Sequence, residues 1–269
     1  MGLKLRVAER VLGRSVAEEY VAAARERYEA VLAQEHAPPA FPPDDELAAG
    51  HVASEHRAAN LYKVKARMLL TRRFIREQLD APLNELRVLD VGGASAVFFR
   101  LLGVGPDRGT AVNVLARELA AVRAQGYAAV RVADERLPFA DQSFDCCLSM
   151  QCLEHTRSPA VHLSELARVA RLGVFVSIPY RAQTRVAALA TGAPADQHVF
   201  ELCGADLARL AAHCGLRLAA HTALALEAPG AGPLRRTFRA RLGFGGPTAY
   251  LAFLTPEHAR NPSATGRSP

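Results

Sequence analysis

Between Leu86 and Ile178 the chain keeps alternating between two kinds of segment. Short apolar, β-favouring runs occupy Leu86–Val91, Thr110–Val114, Ala128–Val132, Phe144–Met150 and Gly173–Ile178, with helical stretches near 94–103, 116–125 and 159–170 between them. Strands separated by helices of about ten residues require crossover connections, and crossovers of one hand build a parallel sheet covered on both faces. The expected fold class is therefore α/β, with a doubly wound sheet. A further helix is expected over Asp206–His213 and strands over Leu216–Leu226 and Thr248–Leu254, with a basic insertion, 228–247, between those strands. Residues 256–269, polar and rich in Pro and Ser, read as a disordered tail.

The first 80 residues have a different texture. Ser15 and Glu18 have capping-box spacing and open a helical pattern that runs to about Glu35. The run Ala37-Pro-Pro-Ala-Phe-Pro-Pro43 cannot be helix interior and reads as a linker. From Asp44 to Asp80 the pattern is helical again, with Leu61, Val64, Met68, Ile75 and Leu79 at helical spacings and Ala81-Pro82 ending it. Residues 1–14 alternate apolar and basic positions, as a short amphipathic helix would. This segment, 1–80, is expected to be a helical annex that caps a pocket in the second domain, 81–255, because additions at strand ends carry specificity in such sheets.

Lys+Arg 33 against Asp+Glu 27 gives a net charge of +6. Divided over residues 1–80, 81–230 and 231–269, the excess is +1, 0 and +5. A nucleic-acid footprint needs basic residues clustered on the folded body, and a neutral body argues against one. The excess resides mainly in Arg235, Arg236, Arg239 and Arg241 of the insertion, which read as a solvated loop or as a surface for a membrane head group or acidic partner. Five cysteines without an extracellular spacing pattern fit a reducing compartment. The charged start lacks a signal-peptide core, and no uncharged stretch approaches the roughly 18 residues of a membrane span. A cytoplasmic location is expected.

The first strand runs into Val88-Leu-Asp-Val-Gly-Gly-Ala-Ser-Ala96. Glycines after a strand let the backbone approach a ligand, and the following helix N-terminus offers free N–H groups to an anionic group. Downstream come Arg131-Val-Ala-Asp-Glu-Arg-Leu-Pro-Phe-Ala-Asp-Gln-Ser-Phe-Asp145, Cys152-Leu-Glu-His155, Leu163-Ser-Glu-Leu-Ala-Arg-Val169 and Asp196-Gln-His-Val-Phe-Glu201. In this order they resemble the class I S-adenosylmethionine-dependent methyltransferases, in particular the small-molecule subgroup with an LPF…SFD…LEH series. The likeness runs from residue 86 to about 225. It implies a Rossmann-like sheet, mostly parallel with a final antiparallel strand, S-adenosyl-L-methionine as cofactor, and methyl transfer to an oxygen, nitrogen or carbon of a small molecule.

The resemblance also implies roles. Asp90, Gly92, Gly93 and Ala94 would shape the turn under the methionine part of the cofactor, Asn113 would face the ribose, and Asp134 with Glu135 would reach the adenine. Met150 and Gln151 would line the sulfonium. His155 and His198 are the candidates for taking a proton from the acceptor, since imidazole titrates near neutral pH, and each also reads as a structural histidine. Glu154 reads as a helix-start acid and Tyr180 as pocket wall. Cys146 and Cys147 point to opposite faces of a strand, so they read as core residues and no metal site is expected. The family's later glycines fall on Ala94 and Ala96, and its acid after strand two on Asn113, which lacks the charge that strengthens bonds to a diol. A non-catalytic binding or scaffold protein is the alternative. A nicotinamide-dependent oxidoreductase is disfavoured, because the first turn lacks G-x-G-x-x-G spacing.

Overall fold

The apolar runs pair side by side in the order that crossovers of one hand produce. The computed structural model describes residues 15–36, 39, 41, 57–94, 96–186, 198–226 and 248–260. The amphipathic stretch 1–14, the insertion 228–247 with its four arginines, and most of the tail lie outside them, as does much of the proline-rich run and the first part of the second helical pattern.

The elements are α1 (Ser15–Leu32), α2 (Arg57–Gln78), β1 (Val88–Val91), α3 (Val97–Leu102), β2 (Gly109–Asn113), α4 (Ala116–Ala124), β3 (Ala128–Arg131), β4 (Phe144–Met150), α5 (Pro159–Val169), β5 (Ala170–Pro179), β6 (Arg185–Val186), β7 (Phe200–Glu201), α6 (Gly204–His213), β8 (Leu216–Leu224) and β9 (Ala249–Pro256). Seven strands form one sheet in the order β3-β2-β1-β4-β5-β9-β8. Pairings from β3 through β5 are parallel, whereas β9 runs antiparallel to β5, with Val176 opposite Ala252. The fold class is thus the expected one: a Rossmann-like, mostly parallel sheet with an antiparallel late strand, flanked by helices. β6 and β7 form a separate two-stranded ribbon that no apolar pattern announces.

Two compact units divide the chain, residues 1–73 with 224–248 and residues 74–223 with 249–269. In the first, Glu35 accepts from Arg72 and Arg73 of α2, and Arg27 of α1 donates to the carbonyl of Ala225 at 3.0 Å. In the second, β1 and β4 are buried along their lengths except at Met150, and Leu89, Cys147, Val174 and Val176 pack with Leu163 and Leu166 of α5 and Leu207 of α6. Among the described residues no helix is long and apolar enough to cross a membrane.

The Leu-Pro-Phe and Ser-Phe-Asp segments take their shape from α5. Ser158 caps that helix, with Pro159 in its first turn, where the missing N–H costs nothing. Glu165 then accepts from the backbone N–H of Leu137 (2.8 Å), while Arg168 donates to the carbonyls of Leu137 and Phe139 and to Asp141 (2.7–2.9 Å). Asp145 ties the strand starts together by accepting from the Arg87 N–H and from Arg171. Removing the Arg168 fork strands two carbonyls and a carboxylate, so Arg168→Ala is expected to lower stability by about 2 kcal/mol, the partly exposed setting limiting the loss. Urea titration checks this, and an unchanged midpoint would show that the loop holds itself.

Candidate active site

The carboxyl ends of β1, β2 and β4 meet at the glycine turn. Gly92 adopts φ +85°, and a Cβ built there would lie 2.7 Å from the sulfur of Cys152. A Cβ on Gly93 would lie 2.6 Å from Oδ2 of Asp90. Both positions therefore exclude a side chain. Ala94 is exposed, whereas Ala96 is buried and holds φ 51°, ψ 17° at the start of α3. This explains why glycine is the family's residue at that position: the cost of alanine there is a left-handed backbone as well as crowding.

Asp90 lies beneath the turn and is 4% exposed. Burial raises its pKa to about 7. Asn113, at the end of β2, turns back onto the glycines, its amide donating to the carbonyls of Gly92 and Gly93 (3.3 Å each) while Oδ1 accepts from the Leu115 N–H (2.9 Å). An acid could not donate those two bonds, so asparagine here holds the turn. Asp134 is exposed and accepts from the Arg136 N–H. Glu135 accepts from the backbone N–H groups of Arg157 and Ser158, ahead of α5.

At the end of β4, Met150 is half-buried and pairs with Ser177. Gln151 has φ 53°, a conformation that a non-glycine residue keeps only where its surroundings impose it. Ser177 supplies that hold, since its carbonyl accepts from the Gln151 N–H and its hydroxyl from the Gln151 amide (2.8 and 2.9 Å). Cys152 follows, its thiol pushed up to about 12 by burial, so it stays protonated. Cys146 and Cys147 are fully buried core residues, as their strand position implied.

The turn Leu153–His155 then carries Glu154, buried, and His155. The two candidate histidines converge. Val199 donates its N–H to the Glu154 carbonyl at 2.7 Å, and the rings of His155 and His198 meet edge to face with centroids 4.8 Å apart. Three residues near this site were not singled out by sequence. Arg181 grips Glu201 with two 2.7 Å bonds, and Glu201 also meets Nδ1 of His198 at 2.7 Å. Pairing with Arg181 lowers the Glu201 pKa to about 2. His162 of α5, 3% exposed, bonds to the Ser149 hydroxyl at 2.9 Å, and burial lowers its pKa to about 4.

Comparison with known proteins agrees with this geometry. Residues 89–178 match the family described as a methyltransferase domain. That span is a third of the chain, and it is similar to a methyltransferase domain. The matched span carries the glycine turn, the LPF and SFD segments and the Leu153–His155 turn. An uncharacterised methyltransferase of Mycobacterium avium is 38% identical over 105 residues, 35% of this chain and 38% of the relative. One from Mycolicibacterium gilvum is 36% identical over 109 residues, 36% of this chain and 40% of the relative. The alignments thus span about two fifths of these curated relatives' lengths.

Two solved structures share the fold at low identity. The 1,6-didemethyltoxoflavin-N1-methyltransferase of Burkholderia thailandensis, solved with its substrate and S-adenosylhomocysteine, is 19% identical with a TM-score of 0.51 over 81% of this chain and 93% of that one. A Haloferax volcanii chain in complex with a methyltransferase activator is 18% identical, with a TM-score of 0.55 over 81% of this chain and 100% of that one.

Proposed function

We propose that this protein is a methyltransferase that moves a methyl group from S-adenosylmethionine to an oxygen, nitrogen or carbon of a small molecule. The observation that carries the reading is the cradle at the end of β1: two glycines whose Cβ positions are blocked, above the buried carboxyl group of Asp90. Asp90 would take the cofactor's ammonium group, the Gly92–Ala94 turn would lie along its methionine part, and Met150 and Gln151 would border the sulfur. Asp134 and Glu135 stand after β3, where the adenine would lie, and Asn113 keeps the turn in shape. The cofactor supplies an electrophilic methyl on a sulfonium, so the protein's work is alignment and, where the acceptor needs it, removal of a proton. His155 and His198 are the groups assigned to the acceptor.

Toxoflavin-type recognition in the Burkholderia protein is consistent with a small-molecule substrate for this chain too. The alternative of a non-catalytic relative rests on Ala94, Ala96 and Asn113. Ala94 is exposed, Ala96 is accommodated by a left-handed turn, and Asn113 braces the glycines, so none of the three fills the cradle. Calorimetric titration with S-adenosylmethionine and S-adenosylhomocysteine is expected to give dissociation constants in the micromolar range. No heat of binding at millimolar ligand would overturn the reading.

A further inference from the structure

Glu154, His155 and His198 offer one ligand atom each, and those atoms lie within 4.8 Å of one another. We propose that these three side chains bind a divalent cation, of the zinc, cobalt or iron(II) type, and that the cation receives the hydroxyl oxygen of the methyl acceptor. The donor set is two imidazoles and one carboxylate, which suits such ions better than magnesium or calcium. Three protein ligands leave positions open for substrate or water.

The cluster is built from two separate segments, and the backbone bond from the Val199 N–H to the Glu154 carbonyl fixes one against the other. His198 is oriented from behind. Its Nδ1 faces Glu201, and Arg181 holds Glu201 through both carboxylate oxygens, so Nε2 is the atom left for a ligand. A histidine whose second nitrogen meets a carboxylate is the usual arrangement behind a metal-bound imidazole. Ligand atoms around a tetrahedral ion are roughly 3.3 Å apart at bond lengths near 2.0 Å, so the widest pair must close by up to about 1.5 Å on binding. Ring rotation of the two partly exposed histidines supplies that movement.

The proposal rests on the methyl-transfer reading for its second half. It narrows the acceptor to an oxygen, on a molecule able to chelate, such as a catechol or a hydroxy acid. A bound cation lowers the pKa of a coordinated hydroxyl. The hydroxyl proton leaves to water, the O–CH3 bond forms as the CH3–S bond breaks, and the bonding pair stays on sulfur as S-adenosylhomocysteine departs.

The test uses the full chain and cobalt(II) as the probe, followed by absorption spectroscopy and by competition with zinc(II). One equivalent of cobalt with a visible band is expected. Glu154→Gln and His198→Ala should each weaken binding by 100-fold or more, and Glu201→Gln by about 10-fold. The exposed His213→Ala should change nothing, and circular dichroism confirms that each variant is folded. Absence of cobalt or zinc binding at millimolar metal, or binding indifferent to the Glu154→Gln and His198→Ala substitutions, overturns the site. 4-Nitrocatechol added to the zinc-loaded protein should shift to its deprotonated spectrum, and no shift overturns the oxygen-acceptor assignment. Calorimetry with the cofactor separates the two proposals: cofactor binding without metal binding sinks only the metal site, and metal binding without cofactor binding sinks the methyl-transfer reading and with it the acceptor role.

Discussion

Replacing Gly92 with alanine is expected to destabilise the fold by about 2–5 kcal/mol and to weaken S-adenosylmethionine binding by at least 100-fold. Two effects add. The residue holds φ +85°, where a Cβ meets its own backbone, at a cost of about 1–2 kcal/mol. The new methyl would also press on the Cys152 sulfur at 2.7 Å, and relief would require shifting the turn after β4, with overpacking of this kind costing about 1–3 kcal/mol. Because Gln151, already strained, immediately precedes Cys152, that displacement passes straight to the methyl-acceptor side. Denaturant titration reads the first effect and calorimetry the second. Wild-type affinity in a folded Gly92→Ala protein would show that the cofactor does not lie on this turn.

Asp90→Asn has effects of opposite sign on stability and binding. The folded pKa of Asp90, about 7, lies above its ordinary 3.8, so its contribution to stability is complete at low pH and is lost as pH rises through 7. Removing the charge relieves that loss, by up to about 4 kcal/mol above pH 7, less about 1–3 kcal/mol for burying an amide with few partners. The variant should therefore be about 1–3 kcal/mol less stable than wild type at pH 4, gain on it as pH rises from 4 to 7, and level off above. Cofactor binding should run the other way. In the wild type the affinity should rise about tenfold per pH unit below 7 and level off above, because an ammonium group favours the ionised carboxylate. In Asp90→Asn the affinity should be low and nearly flat with pH. A parallel pH profile in both proteins would remove Asp90 from the binding site.

Much of this fold could be read from the chain because buried parallel strands are written as uninterrupted apolar runs. Val88–Val91 and Phe144–Met150 are found where those runs stand. β5 begins at Ala170, earlier than its apolar run suggests, because Arg171 satisfies its charge on Asp145 and so can occupy a strand. β6 and β7 are two residues each and depend on pairing rather than on pattern. The candidate residues were legible as types but not as partners. His155 and His198 are distant in sequence, and the fold brings them together where the Val199 N–H meets the Glu154 carbonyl. Asn113 looked like a weakened ribose contact, yet its two donors face the glycine carbonyls. Glu165 and Arg168, read as part of a family signature, act on the LPF loop, a role that no local spacing encodes.

His162 of α5 and Asp90 of β1 are both kept neutral by burial, one with its pKa lowered to about 4, the other with its pKa raised to about 7. In the unfolded chain between roughly pH 4 and pH 6.5 the same two groups are an imidazolium and a carboxylate. Folding in that window amounts to handing a proton from the histidine to the aspartate, with none exchanged with the buffer. Their separate slopes, each about 1.4 kcal/mol per pH unit, oppose and cancel. The pair thus adds no net slope to stability over a range in which either group alone would add one. Substituting one of them exposes the hidden slope of the other.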